Sequence, residues 1–131
     1  MPEPLHADSL EASLTVKNLE ESASWYTDML GFVVDKRHER GGTLFAVSLH
    51  AGAVRILLTQ DDGAKGLDRT KGEGLSFQIT TRQSVDVVAA EFKKRGGVLD
   101  TEPTTVPWGA RIIRFRDPDG FRFTLSSTVV Q

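Results

Sequence analysis

The sequence contains no cysteine, which excludes both a disulfide framework and thiolate chemistry. That absence suits a reducing compartment, and we expect a cytoplasmic protein. No hydrophobic run approaches the roughly 20 apolar residues of a membrane span, and the N-terminal stretch lacks the basic and apolar segments of a secretory leader. We therefore expect no association with a membrane.

Neither sign of charge predominates, because 16 basic side chains face 18 acidic ones and the net charge is −2. The one basic cluster, 36–40, is interrupted by Glu39, so the sequence argues against a nucleic-acid surface. A chain of 131 residues suffices for one domain that buries roughly two-thirds of its unfolded surface. We expect a single domain over residues 1–131.

The clearest local signal lies near the C-terminus, where the segment 117–120 reads Asp-Pro-Asp-Gly between two alternating runs. Proline fixes φ at one turn position and glycine tolerates a positive φ at another, which predicts a tight β-hairpin. In the strand that follows, alternation separates an apolar face from a polar one. The apolar face carries Phe121, Phe123 and Leu125, and the polar face carries Arg122, Thr124 and Ser126.

Hydrophobic periodicity predicts the same order of elements twice. The first unit, 10–60, has an alternating strand, a helix between an Asn18 cap and Gly31, and three strands separated by glycine turns. A polar linker, 61–71, precedes a second such unit, 72–126. The predicted second-unit elements are a strand at 74–80, a helix at 84–95 and strands at 98–101, 111–116 and 121–126. The predicted fold is α+β: two tandem βαβββ units whose curled mixed sheets leave a central cavity.

These motifs resemble those of the vicinal oxygen chelate superfamily, which includes glyoxalase I, extradiol dioxygenases and the fosfomycin and bleomycin resistance proteins. The resemblance covers 10–126 and rests on three segments: the strand-to-helix stretch 14–22, the helix end 25–32, and the stretch from Trp108-Gly109 to the 117–120 turn. It implies the glyoxalase-like fold and a homodimer.

The resemblance also implies where a divalent metal would be bound. The corresponding positions carry Glu11, Leu57 (or Ile56, one residue earlier), Gly74 and Thr124. A divalent cation needs about three protein ligands, and this set offers one carboxylate. His6, His38 and His50 are interpreted as solvated side chains, with His50 in a turn. We expect no metal and no other cofactor, with a divalent metal as the alternative.

The polar strand faces predict a ligand-binding site. Its predicted members are Glu11, Ser13, Leu57, Ser76, Gln78, Trp108, Arg111, Arg122 and Thr124. Glu11 and Arg122 either form an ion pair between the units or orient a polar ligand. Because Arg111 and Arg114 fall on opposite faces of one strand, only one addresses the cavity, and we favour Arg111. Trp108 is a ligand wall, a plug over the core or a dimer contact. Trp25 and Tyr26, on the first helix, are interpreted as packing residues.

The leading hypothesis is a metal-independent protein of the bleomycin-resistance type that binds a small molecule such as an antibiotic. The alternative is a metal-dependent lyase, isomerase or dioxygenase of the superfamily. Glu11 is the candidate catalytic base if the protein is an enzyme. A third hypothesis, a scaffold that binds other proteins, rests only on the dimerisation that the resemblance implies.

Overall fold

The computed structural model describes residues 3–128, which contain eight strands and two helices. The α+β class and the repeated βαβββ order are confirmed. The first unit comprises β1 (Glu11–Val16), α1 (Leu19–Leu30), β2 (Val33–Arg40), β3 (Thr43–Ala51) and β4 (Val54–Gln60). The second unit comprises β5 (Ser76–Thr80), α2 (Val85–Lys94), β6 (Thr101–Thr105), β7 (Arg111–Arg116) and β8 (Arg122–Ser127).

Each unit forms one four-stranded mixed sheet. The strand order is β1-β4-β3-β2 in the first sheet and β5-β8-β7-β6 in the second. The pairs β1–β4 and β5–β8 are parallel, and the other pairs are antiparallel. The helix of each unit supplies the crossover that a parallel pair requires, because parallel strands cannot be joined by a tight turn.

The ends of α1 follow from local sequence. Asn18 has an extended backbone, and its side chain accepts a hydrogen bond from the Glu21 amide at 3.1 Å. This bond satisfies an N–H group that has no partner inside the helix. Gly31 ends the helix with φ 76°, a left-handed conformation that glycine adopts without steric cost. Both predicted ends are confirmed.

The helices lie between the two sheets, in one core shared by both units. Trp25 of α1 packs against Phe92 of α2 and Phe115 of β7, with ring centroids 6.0 and 6.3 Å apart. Tyr26, fully buried, has its ring 6.1 Å from that of Phe123 on β8. The packing roles predicted for Trp25 and Tyr26 are confirmed. Because each sheet turns its apolar face to this core, the polar faces of the two sheets point away from each other.

Lys71, at the end of the linker 61–71, forms hydrogen bonds that connect this linker to the first sheet. Its side chain is 9% exposed, and its Nζ donates to the Thr15 carbonyl at 3.1 Å and to Asp61 Oδ2 at 2.6 Å. The same Nζ lies 3.9 Å from Asp119 in the closing hairpin. This ammonium group therefore joins both ends of the linker and the turn that completes the second unit.

Predicted strand starts in both units precede the observed ones. The strand predicted at 98–101 is instead β6, and Val98 is 79% exposed. Pro103 lies within β6 because this strand is at a sheet edge, where a missing N–H costs least. Leu10 and Leu75 lie just before β1 and β5 and are exposed rather than in the core. Within 3–128, neither helix has the length and apolar character needed to cross a membrane.

Candidate ligand-binding site

A cavity of about 420 Å³ lies on the polar face of the second sheet. Strand register sets its lining, because Ser76 of β5 pairs with Arg122 of β8, and Thr124 of β8 pairs with both Gln78 and Arg114. Its lining includes Ser76, Asp100, Arg114, Phe115, Arg122 and Thr124. The structure thus brings together three predicted site residues, Ser76, Arg122 and Thr124, and places Gln78 beside them on β5.

Only some of the charged side chains around this cavity have an oppositely charged partner. Arg116 donates two hydrogen bonds to Asp100, from Nε at 2.9 Å and from Nη2 at 3.0 Å. Arg122 donates to the Leu75 carbonyl at 3.4 Å. Within residues 3–128, no carboxylate forms an ion pair with Arg114 or Arg122. The lining therefore carries excess positive charge.

The expectation that Arg111 faces the cavity is wrong. Arg111 lies on the core face of β7 and donates to Asp86 of α2, from Nε at 2.6 Å and Nη2 at 2.9 Å. These hydrogen bonds lower the pKa of Asp86 and raise that of Arg111. Arg114, on the opposite face, lines the cavity. Alternation along β7 places Arg111 and Arg114 on opposite faces of the strand. Only the position of Asp86 on α2 determines which of the two faces that helix.

Three further predicted site residues, Glu11, Ser13 and Leu57, lie on the polar face of the first sheet. Register pairs Glu11 with Arg55 and Ser13 with Leu57 across β1 and β4. This face points away from the second sheet, so one chain does not gather the predicted site into a single cavity. The predicted ion pair between Glu11 and Arg122 is wrong for the same reason: the two residues lie on different sheets, and in the part of the chain that the structure describes no ion pair joins them.

Sequence reasoning missed a cluster on this first polar face. Asp35 Oδ1 lies 2.6 Å from His50 Nδ1, and Asp35 Oδ2 lies 3.5 Å from Arg55 Nη1. His50 belongs to β3, so its predicted turn position is wrong. Nearby, His38 Nε2 lies 2.9 Å from Ser48 Oγ. The alternation of β3 gives the direction of His50, whereas Asp35 sits at a register shift between β2 and β3 that alternation alone does not reveal.

Trp108 lies in the loop between β6 and β7 and is 73% exposed. The loop is closed by a hydrogen bond from the Val106 amide to the Ala110 carbonyl at 2.8 Å. Such exposure excludes the interpretation of Trp108 as a plug over the core. Trp108 is also absent from the cavity lining within this chain.

The positions at which relatives bind metal do not provide a suitable donor set. In the first sheet Glu11 pairs with Arg55, two residues before Leu57, and in the second sheet Ser76 pairs with Arg122, two residues before Thr124. Because Leu57 and Thr124 are the matching metal positions, the counterpart of Glu11 is Ser76 and not Gly74. The four side chains then offer one carboxylate, two hydroxyl groups and the aliphatic Leu57. Across residues 3–128, no three His, Cys, Asp or Glu side chains are grouped to hold a cation. These residues do not fit a divalent metal, which needs about three such ligands.

Comparison with known families identifies the chain. A model of the Glyoxalase/Bleomycin resistance protein/Dioxygenase superfamily matches residues 6–125. The chain belongs to this superfamily. A search of curated proteins found no match.

Solved structures of the superfamily's fold are similar over nearly the whole chain. TnmS3, an antibiotic binding protein from Streptomyces sp. CB03234, is 19% identical with a TM-score of 0.73, covering 95% of this chain and 98% of its own. TioX from Micromonospora sp. ML1 is 16% identical with a TM-score of 0.76, covering 94% and 100%. UcmS2 is 18% identical with a TM-score of 0.75, covering 93% and 98%. At these identities the likeness establishes the fold.

Proposed function

We propose that this protein binds a small organic molecule, such as an antibiotic, without using a metal ion. The observation that carries the proposal is a polar cavity on the second sheet, where the metal positions hold the hydroxyl residues Ser76 and Thr124, while those of the first sheet hold Leu57 and one carboxylate, Glu11. Sequestration of a ligand requires shape and polar contacts only. The similarity to an antibiotic binding protein of the same fold supports this choice.

The size and chemistry of the cavity suit such a ligand. Its volume of about 420 Å³ falls within the roughly 300–1,000 Å³ typical of small-molecule sites. Hydroxyl groups of Ser76 and Thr124 and the guanidinium groups of Arg114 and Arg122 offer hydrogen bonds, and the half-exposed Leu75 adds apolar surface. Polar groups of this kind orient a ligand, while apolar surface supplies contact area.

We further propose that the binding unit is a homodimer. Each polar face in one chain is open on its outer side, so a ligand in the 420 Å³ cavity remains partly in solvent. If the first polar face of one copy covers the second polar face of another, Glu11, Ser13 and Leu57 meet Ser76, Gln78 and Thr124 in one cleft. A symmetric pair of copies forms two such clefts, because a twofold contact repeats every interaction.

The test is ligand binding by metal-free protein. The protein is dialysed against a chelator, its metal content is measured by elemental analysis, and thermal shifts are recorded with polycyclic and glycopeptide antibiotics. A ligand present at 100 times its Kd stabilises the folded state by about 2.7 kcal/mol, so a hit raises Tm without added metal.

A variant that fills the cavity, Thr124→Phe, should abolish the shift, whereas Thr104→Phe, on the exposed edge strand β6, should preserve it. Light scattering tests the dimer. A tightly held stoichiometric divalent ion that binding requires would contradict the proposal and favour a metal-dependent lyase, isomerase or dioxygenase.

A further inference from the structure

Three arginines lie close together on the polar face of the second sheet, where their positive charges do not stabilise the sheet. Arg116 of β7 and Arg122 of β8 are direct cross-strand partners, and Arg114 lies on the same face two residues away. Like charges placed directly opposite each other on neighbouring strands are destabilising. These three exposed arginines repel one another, and negative charge nearby would offset that repulsion.

One chain supplies only part of that negative charge. In the proposed dimer, Glu11 of the second copy comes with its cross-strand partner Arg55, so together they add no net negative charge. Asp100 accepts both of its hydrogen bonds from Arg116, so its two oxygens are occupied by one guanidinium group. Arg122 has a carbonyl partner, the Leu75 oxygen at 3.4 Å, which carries no formal charge. Among residues 3–128, Asp100 is the one carboxylate in the cavity lining, while Arg114 and Arg122 both contribute to that lining.

We infer that the ligand is an organic oxyanion, bound through Arg114 and Arg122. This inference rests on the proposed small-molecule function and specifies the chemical class of the ligand. A guanidinium group presents a planar fork of N–H donors that pairs with two oxygens of a carboxylate or phosphate. A bound oxyanion would supply the charge that Asp100 cannot, next to Thr124, the cross-strand partner of Arg114.

The overall charge of the chain separates this site from a general polyanion surface. The net charge is −2, so the excess positive charge of this face is outweighed by acidic residues elsewhere in the chain. A nucleic acid is recognised by basic residues spread over one face or along a helix. The limited volume of the cavity and the exposed Leu75 in its lining instead favour a compact ligand with an apolar body and one acidic group.

The experiment compares probes that share one naphthalene ring and differ in the group attached to it. The full chain, metal-free, is titrated by calorimetry with 2-naphthoate, its neutral counterpart 2-naphthamide, and 2-naphthyl phosphate. We expect at least one acid to bind about tenfold or more tightly than the amide, as loss of a hydrogen bond to a charged group implies. The ratio of the affinities for the two acids distinguishes a carboxylate site from a phosphate site.

Two variants and a matched control test whether Arg114 and Arg122 cause the preference for the acid. Arg114→Gln and Arg122→Gln should each weaken binding of the preferred acid about tenfold, with the amide affinity unchanged. The control, Arg82→Gln, removes the same charge from an exposed loop outside the cavity. Because Arg122→Gln relieves repulsion with Arg116, its Tm without ligand should equal or exceed that of the parent protein, which excludes misfolding as the cause.

Three outcomes would overturn the inference. Equal affinity for acids and amide removes the oxyanion class but leaves small-molecule binding intact. If Arg82→Gln weakens binding of the acid as much as the two cavity variants do, the preference comes from net charge and not from a site. No binding of either acid at millimolar concentration also rejects the oxyanion, and the antibiotic panel then decides separately whether the proposed function stands.

Discussion

The hydroxyl group of Tyr26 donates to Asp117 Oδ2 across 2.7 Å, joining the first helix to the closing hairpin of the second unit. Asp117 Oδ1 also accepts from the amides of Asp119 and Phe121, both at 2.9 Å. Burial raises the pKa of Asp117, and these hydrogen bonds oppose that rise. Burial and the neighbouring carboxylate raise the pKa of Tyr26, so its hydroxyl retains the proton that it donates. The turn predicted at 117–120 is thus also a joint between the units.

Tyr26→Phe should destabilise the protein by about 1–3 kcal/mol, the usual cost of leaving a buried polar group without a partner. The aromatic ring and its packing against Phe32 are retained, so the loss reports the hydroxyl group. Urea unfolding at pH 7 measures it.

The same variant carries a pH signature. A carboxyl group whose folded pKa is raised contributes stability that is present at low pH and is lost as pH rises through that pKa. Without the Tyr26 hydroxyl the pKa of Asp117 rises further, so the penalty should shrink as the solution is acidified. A penalty independent of pH would mean that only packing had changed.

Asp61→Asn should destabilise the protein at neutral pH and have little effect in acid. The hydrogen bond from Lys71, followed by that from the Gly63 amide, lowers the pKa of Asp61. A lowered carboxyl pKa contributes stability above the unfolded value, about 3.9, and that contribution is lost as pH falls through the folded pKa. Thermal unfolding from pH 7 to pH 3 tests this.

The matched control is Asp68→Asn. Asp68 pairs with Lys17 at 3.3 Å, but its side chain is 99% exposed, and exposed ion pairs contribute little to stability. If both variants lost the same stability at pH 7, the buried position of Lys71 would have no special role.

Gly97→Ala should cost about 1–3 kcal/mol, as overpacking of a core does. A β-carbon at Gly97 would lie 2.4 Å from Cε2 of Phe92. Chemical denaturation measures the loss, and Phe92→Leu in the same background should recover part of it, because the smaller side chain vacates that space. Strict additivity of the two changes would show that the ring is not the obstacle.

Trp108→Ala should leave the free energy of unfolding of one chain within about 0.5 kcal/mol of the parent, as surface substitutions usually do. Trp25→Ala should cost considerably more, since Trp25 contacts Phe92 and Phe115. With Trp25→Phe, Trp108 remains as the sole tryptophan, and its emission should shift to shorter wavelength if ligand or a second copy covers it. No shift with either would leave Trp108 without a part in the site.

Local chemistry made much of the fold predictable. Asn18 and Gly31 set the ends of α1 through their own hydrogen bond and backbone conformation. Alternation in β8 correctly separated Phe123 from Arg122 and Thr124, which the structure places in the core and around the cavity. Each of these features depends on residues close together in the sequence.

The site depends on relationships between distant residues, which is why it was only partly predicted. The direction of Arg111 is set by Asp86 on another element, and the pairing of Asp35 with His50 requires the register shift in β2. Whether the two polar faces meet or diverge is decided by contacts such as that between Trp25 and Phe92. No pattern within either unit carries that information.

The sharing of Trp25 and Tyr26 between the units also limits how the repeat can be divided. A fragment that ended after β4 would leave both aromatic side chains without the ring contacts to Phe92, Phe115 and Phe123 that now enclose them. Although the two halves repeat one plan, each covers part of the other's hydrophobic interior, so we expect either half alone to be less stable than the whole chain.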